Sequence, residues 1–81
     1  MSEMQLNPRA VGAAFSRLRK QKHMTQEVLS GMADIGRTHL SAIERGERKP
    51  TMETVWRVAA ALRVRPSKLV AEIEREAEKL A

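Results

Sequence analysis

Two histidines, His23 and His39, stand 16 residues apart, with no cysteine and no third ligand at a metal-binding spacing. No metal centre is expected from such a set. Serine, histidine and aspartate occur, but not as a nucleophile with its base and orienting group, so the sequence reads as non-enzymatic. It lacks a glycine-rich loop for cradling phosphates, and no cofactor is implied. The residues that could do chemistry lie instead in one short stretch. If 37–45 is helical, Leu40 and Ile43 turn inward and Arg37, Thr38, His39, Ser41, Ala42 and Arg45 turn outward. That outward face is polar, has small residues and carries two arginines, and a helix of this kind fits the major groove of DNA.

Such a helix needs others to hold it. The chain is helical in pattern throughout, and five segments can be read. The first follows Asn7-Pro8, an N-cap with proline at the first helical position, and buries Val11, Ala14, Phe15 and Leu18. Arg17, Arg19, Lys20 and Lys22 fill its last turns, where cations suit the helix dipole. The second is capped by Thr25, with Met24 and Leu29 as a hydrophobic staple, and ends by Asp34. Gly31 inside it costs about 0.5–1 kcal/mol against alanine, for no reason visible in the sequence. The third begins after Gly36 and stops at Gly46, so Asp34-Ile35-Gly36 forms a tight turn between two short helices. The fourth is capped by Thr51 and buries Val55, Val58, Ala59 and Leu62, with Trp56 off that stripe. The fifth starts at Pro66 and carries Leu69, Val70, Ile73, Ala77 and Leu80.

With 81 residues the chain holds one domain, and the absence of cysteine rules out a disulfide scaffold. No apolar run approaches the roughly 18 residues of a membrane span, and the N-terminus lacks a signal peptide's apolar stretch, so a cytoplasmic setting is expected. Of 15 basic and 10 acidic residues, residues 1–65 carry 12 and 6, and residues 66–81 carry 3 and 4. A basic body with a near-neutral end suits a polyanion partner for the body and another task for the end.

The residues Thr25-Gln26-Glu27-x-Leu29, Arg37-Thr38-His39-Leu40-Ser41-x-Ile43-Glu44-Arg45-Gly46, Arg48-x-Pro50-Thr51-x-Glu53-Thr54, Ala61-Leu62 and Pro66-Ser67-x-Leu69 resemble the XRE family. These are the helix-turn-helix proteins typified by lambdoid phage repressors, and the third-helix string most resembles the controller proteins of restriction–modification systems. The likeness spans roughly residues 8–70. It implies an all-α, five-helix lambda repressor-like DNA-binding domain, with the second and third helices as the helix-turn-helix unit and an extended C-terminal helix. It implies base contacts from Arg37, Thr38, His39 and Ala42, the last offering a methyl to a thymine methyl. Gln26 is implied as a phosphate contact, as are Arg48 and Lys49 in the loop after the third helix, and Thr25 and Ser41 are counted with them. Glu44 and Arg19 are implied as a structural ion pair that fixes geometry more than it stabilises. The chain departs from the family pattern at Ser30 for alanine, Asp34 for glycine, Gly36 for a serine or threonine cap, and Arg63 for glycine.

One recognition helix covers too few base pairs for a specific site, so two copies on a pseudo-palindrome are expected. The expected organisation is an N-terminal arm at 1–7, a DNA-binding domain at 8–65 and a C-terminal helix at 66–81 that pairs with its twin. Leu69 and Val70 are assigned to the domain core. Ile73, Ala77 and Leu80 continue an apolar line beyond it and, with Trp56, form the expected dimer interface. The expected function is a homodimeric, sequence-specific regulator of transcription that binds double-stranded DNA, with restriction–modification control as one form. The alternative is an antitoxin-type or other partner-binding module on the same fold. No membrane association and no small-molecule effector are expected.

Overall fold

The computed structural model describes residues 5–81. Of the expected arm, residues 1–4 lie outside the described residues. Five helices follow in order: α1 (Pro8–Gln21), α2 (Gln26–Ala33), α3 (Arg37–Glu44), α4 (Met52–Leu62) and α5 (Pro66–Leu80), with no strand among the described residues. None is long and apolar enough to cross a membrane.

The caps read from the sequence set the helix starts. The Asn7 side chain accepts from the Arg9 and Ala10 amides at 2.9 and 3.3 Å, Thr25 from Val28 at 3.1 Å, and Thr51 from Thr54 at 3.1 Å. Each satisfies amides that have no partner within the helix. Gly36, at the start of α3, provides no side-chain cap. The helix ends share one device. Met24, Ile35, Glu47 and Val64 each donate back five residues, to the carbonyls of Arg19, Ser30, Ala42 and Ala59, at 2.9–3.1 Å. The residue before each donor (His23, Asp34, Gly46 and Arg63) has positive φ, between 56° and 77°. This is the Schellman closure. Only Gly46 makes it without a side chain in the left-handed region, so the turn expected at Asp34 does form, against the steric cost of that region.

The core is built where α1 packs on α3 and α5, α2 on α3 and α4, and α4 on α5. Its fully buried side chains include Val11, Phe15, Leu29, Leu40, Ile43, Val58, Leu62 and Leu69. Gly12 decides how α3 docks. A Cβ there would stand 2.5 Å from the Glu44 carbonyl oxygen and 2.6 Å from that of Ile43, so only glycine lets α1 approach the end of α3 this closely. A Cβ on Gly31 would meet nothing within 4 Å, and the structure adds no packing reason for that glycine. Ser30 is buried and donates to the Glu27 carbonyl at 3.1 Å.

Helix α5 corrects the sequence reading. Val70, expected in the core, is 44% exposed, while Ile73, expected beyond the core, is 7% exposed and belongs to it. Ala77 also packs, half-buried, against the core. Leu69, Glu72, Ile73, Glu76 and Ala77 form the inward stripe, at helical spacings of three and four. Val70 follows Leu69 by one residue, a rotation of about 100°, and so faces out. Glu72 is only 3% exposed on that stripe, although the sequence offered no sign of a buried acid there.

Candidate nucleic-acid interface

One carboxylate ties α3 to the helices around it. Glu44, at the C-terminal end of α3, accepts from Arg19 Nε at 2.8 Å and Nη2 at 2.9 Å. Arg19 Nη1 donates to the Met24 carbonyl at 2.8 Å. Gln26 Nε2, from the first turn of α2, donates to the same Glu44 at 2.9 Å. So α1, the α1–α2 loop, α2 and α3 meet at one point. The two-pronged contact with Glu44 raises the Arg19 guanidinium above its ordinary value, so the charge there is permanent. The expected Arg19–Glu44 pair forms. The Gln26 bond to it was not foreseen, and it leaves Gln26 one amide N–H for a ligand.

Along α3, Arg37, Thr38 and His39 are exposed, and Ser41 and Ala42 are half-buried. Arg37, Thr38, Ser41 and Arg45 line a shallow depression. Thr25 is exposed, with its hydroxyl oxygen engaged by the Val28 amide. Of the expected base-facing residues, Arg37 and Thr38 share that depression, while His39 and Ala42 do not line it, and Arg48 and Lys49 are exposed in the loop that follows. A further tie holds that surface in place. Arg57 of α4 donates to the Asp34 carbonyl at 3.1 Å, which pins the turn between α2 and α3. Nothing in the sequence pattern singled out Arg57.

Charge is divided unevenly. Among the described residues, Arg37, Arg48 and Lys49 make no ion pair, whereas Lys68, Arg75 and Lys79 on α5 each lie within 3.1–3.6 Å of a carboxylate. On the α3 side Arg45 pairs with Glu47 at 3.0 Å, so the positive field there is cancelled only in part, whereas along α5 it is largely neutralised. Glu72 also binds Arg17 of α1 at 2.5 Å, and Glu76 lies 2.9 Å from the same guanidinium. Hydrogen bonds from Arg17 and Lys68 lower the Glu72 carboxyl to about 2.

The residues expected at a dimer interface do not share a surface. Ile73 lies in the core and Ala77 packs against it, while Leu80 is exposed at the end of α5. Trp56 is 54% exposed and stands instead with Met52, Pro66, Val70 and Ala71 along a groove between α4 and α5.

A family described as helix-turn-helix matches residues 16–69. An uncharacterised helix-turn-helix transcriptional regulator, y4dJ of Sinorhizobium fredii, is 42% identical over 60 residues, covering 74% of this chain and 78% of its own. The control protein C.MunI of a Mycoplasma species is 33% identical over 66 residues, covering 80% of this chain and 89% of its own. A solved structure of the restriction–modification controller protein C.Esp1396I, a tetramer in complex with its natural 35 base-pair operator, superposes with a TM-score of 0.79 at 26% identity. That match covers 89% of this chain and 95% of the other.

Proposed function

The chain belongs to the helix-turn-helix family, and from that membership we propose that it is a transcriptional regulator that reads duplex DNA as a homodimer. The observation that carries the reading is the exposed polar face of α3, where Arg37 makes no ion pair among the described residues, on a helix tied to α1 and α2 through Glu44. In this reading α3 enters the major groove. Arg37 meets a guanine edge, Thr38 and His39 meet neighbouring bases, and Ala42 meets a thymine methyl. Thr25, Gln26, Ser41, Arg48 and Lys49 take phosphates, which fixes the register without reading sequence. The role is binding and not catalysis, in the cytoplasm where the DNA is.

The dimer forms across the α4–α5 groove. Trp56, Met52 and Val70 are large apolar side chains that a twin copy would cover. Two α3 helices would then read half-sites with centres about 34 Å apart. The operator-bound C.Esp1396I tetramer and the C.MunI match support restriction–modification control as the specific form.

Selection of bound duplexes from a randomised pool tests this directly, and a twofold-symmetric motif is the expected product. On the selected duplex, Arg37→Ala should erase discrimination against a shuffled duplex, while Lys49→Ala should weaken binding to both alike. Equal losses on both duplexes for Arg37→Ala would remove its reading role.

A further inference from the structure

Arg45 stands just past the last turn of α3, eight residues and so about 12 Å along the helix from Arg37. It lines the same depression as Arg37, Thr38 and Ser41. Its guanidinium is not free. Nε and Nη2 both donate to Glu47, at 3.1 and 3.0 Å, and Nη1 donates to the Ser41 hydroxyl. All three hydrogen bonds are on the surface, with the Arg45 and Glu47 side chains 53% and 60% exposed. Three of the five guanidinium N–H groups are thus engaged and two remain. Glu47 is also the only exposed acid between residues 35 and 50, a segment that carries Arg37, Arg45, Arg48 and Lys49. A carboxylate on a surface that meets a polyanion opposes binding by its charge. Its presence there needs a compensating role.

Resting on the DNA-reading function above, we propose that Glu47 is a specificity-setting positioning residue, which holds Arg45 against Ser41 so that its remaining N–H groups meet a phosphate only in the register where Arg37 reads its base. A long untethered arginine reaches phosphates in many registers and so favours every sequence alike. The same arginine clamped on α3 moves with the recognition helix and rewards only the docked geometry. Ser41 serves this clamp as an acceptor and keeps its own proton for the phosphate, which unites two side chains that the sequence reading treated separately. The Arg45 guanidinium in turn holds the Glu47 carboxyl below its usual range, so the clamp is charged at neutral pH.

The test uses the full chain with the duplex selected from a random pool and a shuffled duplex of the same composition. Glu47→Ala should lower the ratio of the two affinities about fivefold, the scale of an exposed ion pair, chiefly by raising affinity for the shuffled duplex. Thermal unfolding should not change, because neither side chain is buried. In an Arg45→Ala background, Glu47→Ala should leave the ratio where Arg45→Ala put it. Equal gains on both duplexes from Glu47→Ala would reduce the residue to a charge brake and overturn the proposal, as would a change in ratio that persists without Arg45. A wild-type chain with no preference between the duplexes would sink the DNA-reading function itself, whereas preference without a Glu47 effect sinks only this clamp.

Discussion

Two arginines of helix α1, Arg17 and Arg19, stand two residues apart, and each closes on a nearly buried glutamate of a different helix. Arg19 holds Glu44 on α3, and Arg17 holds Glu72 on α5. The two glutamates are similarly enclosed, with side-chain exposures of 5% and 4%. Their company differs. Glu44 has one cation and one amide, from Arg19 and Gln26. Glu72 has three cations, from Arg17, Lys68 at 3.1 Å and Arg75 at 3.6 Å. The first arrangement is a single joint with no substitute, and it sets the orientation of the recognition helix. The second is redundant, and it fastens a helix whose work lies elsewhere.

Removing the single joint should have the largest effect. Arg19→Ala leaves Glu44 enclosed without a cation, and losing one partner of a buried pair costs about 3–5 kcal/mol. That is most of what one core of this size supplies, so thermal unfolding should show a protein largely unfolded at 37 °C. Arg17→Ala should cost clearly less in the same measurement, because Lys68 and Arg75 remain on Glu72. Equal losses for the two arginines would erase the distinction between the joints.

Acid should sharpen the contrast. The Glu72 carboxyl is lowered in the folded chain, so its contribution is fully present above the ordinary carboxylate range. It fades as the pH falls from about 4.5 to about 2, when protons bind the unfolded chain first. Glu72→Gln should flatten that part of the stability profile and leave duplex binding at neutral pH unaltered. Chemical denaturation across the range reads the slope. An unchanged slope in the variant would assign the acid sensitivity to other carboxylates. The smallest effect lies away from both joints. Gly31→Ala fills open space on α2 and should stabilise by about 0.5–1 kcal/mol, visible as a higher midpoint at an unchanged denaturant slope.

The same contrast marks what the residues disclosed in advance. Helix starts were legible because Asn7, Thr25 and Thr51 are cap residues placed just before apolar stripes. The Arg19–Glu44 joint was legible through the ordered string around it, which the family shares. The Glu72 joint was not. It sits on an otherwise apolar stripe, and periodicity cannot show that an arginine on another helix will neutralise it. The inward and outward assignments of Ile73 and Val70 were exchanged for a related reason. Leu69 and Val70 are adjacent apolar residues, only one of which can face α1, and the choice rests on packing across elements. That exchange takes Ile73 and Ala77 out of the exposed apolar line expected along α5, while Trp56 and Val70 stand beside the α4–α5 groove. Gly12 was also silent in the sequence, because its role is a close approach to backbone 32 residues away.

The orientation that Glu44 imposes on α3 is tested most directly by methylation interference on the selected duplex. Methyl groups on guanine N7 block the major groove, and those on adenine N3 block the minor groove. The account predicts that N7 methylation within each half-site stops binding, at positions about one helical turn apart, and that Arg37→Ala no longer senses it. Interference confined to adenine N3 would contradict it.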